Sequence, residues 1–179
     1  MQYRPSWFNI WRLPPHQDEY DEIAIFESVS VIENIIIDQV SCGIDPRRIV
    51  ICGFSQGAAL GLIVGLTTIY EVGGIISLSG WIPERVRDVR HILHFHDCCR
   101  LIIQKKMTHT GLQVPILWCH GICDDEIPES YGLNAMSFLV RDLQIPERYL
   151  TYKRYDGLVH TTNDQELDDV VSWLQKVVD

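Results

Sequence analysis

Residues 53–57 read Gly-Phe-Ser-Gln-Gly, a G-x-S-x-G pattern, and its setting constrains the fold more than any other feature of the chain. Residues 48–54 form a short apolar run with β-branched side chains, the pattern of a buried strand. Residues 56–70 are small and apolar, and read as a helix. A strand that turns into a helix this abruptly lifts a serine hydroxyl clear of the sheet. Gly53 and Gly57 would then remove side chains that collide in the turn. The helix N-terminus behind Ser55 favours negative charge there. A chance glycine-rich turn would not need both a strand before it and a helix after it.

The remaining pattern extends the same plan. Ile23, Phe26, Val29, Ile32, Ile36 and Val40 recur every three or four residues with acids between them, predicting an amphipathic helix over 20–40 that stops at Gly43. Strands are predicted at 74–79, 114–119 and 148–155, and helices over 129–143 and 165–178. The acids Glu166, Asp168 and Asp169 read as the solvated face of that last helix. Residues 1–20 are rich in aromatics and proline and read as a loop, and 81–112 show no clear period. Strands alternating with helices specify an α/β fold, a parallel sheet covered on both faces, in one domain over 1–179.

A serine hydroxyl needs a base to take its proton and a carboxylate to orient that base. In this kind of fold the order is serine, acid, histidine, each on a loop after a strand. The loop after the third strand, residues 119–128, supplies the acids Asp124, Asp125 and Glu126. The loop after the last strand supplies His160. His120 precedes the acid loop and reads as a structural hydrogen-bonding residue, and His16 and His109 read as surface residues. His91, His94 and His96 with Cys98 and Cys99 match no metal-ligand spacing beyond His94-x-His96, so no metal is expected.

Charge narrows the partners. Lys and Arg number 15 against 24 Asp and Glu, a net charge of −9, which argues against nucleic acid or an anionic membrane as the main partner. No apolar run is long enough for stable insertion across a bilayer, and residues 1–5 lack the apolar stretch of a secretory signal. The six cysteines show no paired C-x-x-C spacing, and Cys52 and Cys119 sit in strand-like runs; reduced thiols in a cytosolic protein are the expectation.

Four motifs in order carry a family resemblance: Gly-Phe-Ser-Gln-Gly at 53–57, Leu-Ser-Gly-Trp-Ile-Pro at 78–83, His-Gly-x-x-Asp-x-x-Ile-Pro at 120–128 and Tyr-x-Gly-x-x-His at 155–160. With the Pro-Ser-Trp-Phe-Asn-Ile opening at 5–10, they resemble the acyl-protein thioesterases of the phospholipase/carboxylesterase group of α/β-hydrolases. The resemblance implies hydrolysis of long-chain thioesters and esters, with S-palmitoylated proteins as substrates and lysophospholipids and small esters as side activities. It implies no cofactor and a cytoplasmic location, the nucleus being a second compartment. By position, Ser55 would be the nucleophile, His160 the base and Asp124 the orienting acid, with Asp125 the fallback. The backbone N–H of Gln56 would be one oxyanion donor.

The chain also departs from that family. It begins after the family's first strands, which include a loop carrying the second oxyanion donor, so the expected fold is an N-terminally shortened α/β-hydrolase. Loss of one such donor costs ~10²–10³ in rate. The nucleophile strand would lose a neighbour, exposing an edge through which the chain could self-associate. Ile122 stands where a polar residue is common, and Asp125 and Glu126 put charges where proline and apolar residues are common. Glu126 pointing into the acyl site would disfavour a long lipid chain; pointing to solvent is the expectation. The rival to an active thioesterase is a remnant or binding module that keeps the triad residues without activity. A small-ester carboxylesterase is a further enzymatic alternative.

Overall fold

The computed structural model describes residues 5–16, 21–83 and 113–178. The histidine and cysteine cluster at 91–99, and His109, lie outside these residues. Four strands, β1 (Val50–Phe54), β2 (Gly74–Leu78), β3 (Ile116–Gly121) and β4 (Leu150–Tyr155), form one sheet in the order β1-β2-β3-β4. All three pairings are parallel, with Phe54 beside Leu78, Leu78 beside Cys119, and Gly121 beside Tyr155. Strand ends therefore line up, and the loops that leave them meet along one edge of the sheet. The outer edge of β1 pairs with no strand among the described residues. An open cavity of about 300 Å³ lies beside that edge, lined by Trp7, Ile32, Phe54 and Leu60 among others.

Side chains alternate across the strands, as a period of two requires. Ile75, Ile116 and Trp118 face a core shared with α1 (Glu22–Ser41), α2 (Gln56–Thr67) and α3 (Glu129–Arg141). Ile76, Leu78, Leu117 and Cys119 face the other way, onto Trp173 of α4 (Asp164–Val178). Every residue from Ala58 through Leu66 in α2 is buried. That helix packs on β1 and β2 and also against α1, so it has no solvated stripe to make polar.

Two residues, Ile23 and Glu166, depart from the sequence reading. In α1 the buried residues are Ile25 and Ile36, while Ile23 is 74% exposed. The helix packs against α2, and Val29, Ile32, Ile36 and Val40 of the expected stripe do lie on the core. In α4, Glu166 does not belong to the solvated face with Asp168; it is only 1% exposed. Asn163 accepts a hydrogen bond from the Glu166 N–H at 2.8 Å, which caps the helix, and the Glu166 side chain lies on its inner face.

Neither carboxyl oxygen of Glu166 has a hydrogen-bond partner among the described residues, and burial pushes its pKa from the ordinary 4.5 up to about 7. Between those two values the folded chain holds a proton that the unfolded chain has released. Stability is therefore fully present below about 4.5 and is lost as pH rises through about 7. Glu166→Gln removes this loss. Relative to wild type, the variant should gain up to about 3 kcal/mol between pH 5 and pH 8 in urea titrations. Parallel pH dependence in the two chains would show that Glu166 is solvated or paired.

Candidate active site

Ser55 stands between the last residue of β1 and the first of α2 with φ 53 and ψ −120, a left-handed conformation that serine adopts only under constraint. Its N–H still bonds the Leu78 carbonyl at 2.8 Å, so the sheet holds it up to the point of the turn. Gly53 makes the turn possible. A Cβ there would overlap the Gly57 carbonyl and lie 2.5 Å from the Ala58 nitrogen, both backbone groups that cannot swing aside. Gly57 differs from expectation: a Cβ there would meet only Trp7 Nε1, at an ordinary 3.7 Å. The chain crosses itself once in this turn, and Gly53 is the residue that sits at the crossing.

The elbow is also tied to the N-terminal segment. The Gln56 side chain accepts from the Trp7 N–H at 2.9 Å and donates from Nε2 to the Phe8 carbonyl at 2.6 Å. The backbone N–H of Gln56 opens α2 and so has no acceptor within the helix. It remains available beside Ser55.

The loop after β3 carries Asp124, whose side chain is fully buried. Its Oδ1 accepts the N–H groups of Glu126 at 3.1 Å and Ile127 at 2.8 Å, so the carboxylate folds its own loop. Its Oδ2 meets His160 Nδ1 at 2.8 Å. His160, in the loop after β4, turns its Nε2 to Ser55 Oγ, also at 2.8 Å. A carboxylate on Nδ1 keeps the ring proton there and leaves Nε2 free to accept the serine proton. Asp125, the fallback acid, is exposed, and the imidazole bond is made by Asp124.

His120 lies beneath this site, fully buried. Its Nδ1 accepts from Trp118 Nε1 at 3.3 Å and its Nε2 donates to the Ile127 carbonyl at 2.7 Å. Burial pulls its pKa below the ordinary 6.5, which keeps the ring neutral and suits it to hold the acid loop. Phe54, the variable residue before Ser55, packs its ring on His160 at a centroid distance of 4.8 Å. Sequence reasoning singled out neither Phe54 nor the Gln56 side chain. Glu126 is exposed, as expected, but it also has a neighbour in the site. Its side chain is half-exposed, yet Oε2 is 3.9 Å from His160 Nε2, so it faces the imidazole as well as solvent.

Among the described residues no group of histidine, cysteine, aspartate or glutamate could hold a metal ion, and Cys42, Cys52, Cys119 and Cys123 are free thiols. No described helix is long and apolar enough to cross a membrane.

A parallel sheet with helices on both faces and a serine on the turn from β1 into α2 defines the chain as an α/β-hydrolase. It belongs to the Phospholipase/Carboxylesterase family, whose model matches residues 1–178. Acyl-protein thioesterase 1 of Yarrowia lipolytica is 32% identical over 172 residues, covering 96% of this chain and 68% of that protein. A probable carboxylesterase SOBER1-like protein of Arabidopsis thaliana is 34% identical over 173 residues, covering 96% of this chain and 59% of the relative. The crystal structure of Arabidopsis thaliana SOBER1 superposes with a TM-score of 0.78 at 30% identity, covering 97% of this chain and 74% of that one. The chain is thus a hydrolase of the carboxylesterase and acyl-protein thioesterase type.

Proposed function

We propose that the chain cleaves acyl thioesters and esters through Ser55, His160 and Asp124, with S-acylated proteins as its main substrates. The observation that carries this reading is the continuous pair of 2.8 Å bonds from Asp124 through His160 to Ser55. Ser55 Oγ attacks the acyl carbonyl carbon while its proton passes to His160 Nε2. The Gln56 N–H stabilises the oxyanion. As the carbon–sulfur or carbon–oxygen bond breaks, His160 returns the proton to the departing thiolate or alkoxide and an acyl-serine remains. Water, deprotonated by the same Nε2, then attacks the ester and releases the acid and free Ser55. Asp124 stays ionised throughout and stabilises the transient imidazolium. Two acyl-protein thioesterase relatives at 31% to 32% identity support thioesters as the substrate class.

The test is covalent labelling of the purified chain with a fluorophosphonate, mapped by mass spectrometry. Labelling at Ser55 that disappears in Ser55→Ala supports the reading. A cooperatively folded chain that takes up no label would overturn it, and the three residues would then belong to a catalytically silent binding module.

A further inference from the structure

Glu126 occupies a position that the hydrolytic cycle does not use but that its leaving group must pass. The departing sulfur or oxygen takes its proton from His160 Nε2, so it must come within about 3 Å of that nitrogen. Glu126 Oε2 lies 3.9 Å from the same nitrogen. Carboxylate and leaving atom therefore share one neighbourhood.

The carboxylate is held there by its loop. The Glu126 N–H is bound to Asp124 Oδ1, and the next residue, Ile127, is fully buried with its carbonyl on His120. The side chain is 51% exposed, so a substrate can reach it. Among the described residues no lysine or arginine pairs with it, and Asp125 beside it is exposed and adds to the negative field. A cation close to the leaving atom would be drawn to this carboxylate, and an anion repelled.

Resting on the proposed hydrolytic reading, we propose that Glu126 is a specificity-determining residue that selects thioesters whose leaving group is a cysteine flanked by lysine or arginine. Two unit charges a few ångströms apart at a half-exposed site interact enough to change a rate severalfold, and salt weakens the effect.

The experiment compares two acyl-cysteine peptides with the same acyl chain, one with lysines flanking the cysteine and one with glutamates. Wild type should show kcat/KM about tenfold higher for the basic peptide at low ionic strength, falling in high salt. In Glu126→Gln the ratio should fall toward one, and in Glu126→Lys it should invert. Equal ratios in wild type and Glu126→Gln would overturn the inference while leaving the hydrolase reading intact. If the folded wild type cleaves neither peptide and takes no fluorophosphonate at Ser55, the hydrolase reading fails, and this inference with it.

Discussion

Asp124→Asn is expected to lower kcat by about 10⁴-fold in a chain that remains folded. The two oxygens of Asp124 have separate tasks. Oδ1 holds the loop through the N–H groups of Glu126 and Ile127, and Oδ2 takes the Nδ1 proton of His160. An asparagine can keep its carbonyl oxygen on the loop, which preserves the fold. Its amide then faces Nδ1 and donates to it. The imidazole proton moves to Nε2, the nitrogen that must accept from Ser55 at 2.8 Å, and the base is lost. Rates on a chromogenic short-chain ester, measured beside a thermal melt, separate the two effects. A loss below about tenfold would mean that the Asp124 carboxylate does not set the tautomer of His160.

Much of this arrangement was legible because it rests on local rules. The alternation of Ile75 and Ile116 with Ile76 and Leu117 marks strands buried on both faces, and the structure puts each set in a different core. The order serine, acid, histidine on successive strand-end loops follows once the sheet is parallel and its strands stay in sequence. What escaped depends on particular contacts that periodicity does not encode. The Gln56 side chain bonds Trp7, 49 residues away, and no local pattern announces that. Glu166 reads as one acid in an exposed string, but the phase of α4 places it on the buried side, 1% exposed. Glu126 is exposed as the sequence suggests, but its approach to His160 depends on the fold of its loop, in which Asp124 binds the backbone two and three residues ahead.

Gly53→Ala should damage the fold and the site together. The added Cβ would overlap the Gly57 carbonyl and come within 2.5 Å of the Ala58 nitrogen. Those atoms belong to the first turn of α2, whose remaining residues are packed between β1, β2 and α1, so the helix cannot retreat without disturbing the core. Relief must come from opening the elbow, which carries Ser55 away from His160. Steric conflict of this kind costs about 1–3 kcal/mol, and a 1 Å misplacement of a reacting group costs about 10²-fold in rate. The expected result is lower thermal stability together with at least a 10²-fold loss of fluorophosphonate labelling rate. Gly57→Ala supplies the contrast: its Cβ meets only Trp7 at 3.7 Å, and alanine favours helix over glycine by about 1 kcal/mol, so stability should hold or rise. If Gly53→Ala melts and labels like wild type, the strand and helix do not cross at this residue. The positive φ of Ser55 would then lack the close approach that imposes it.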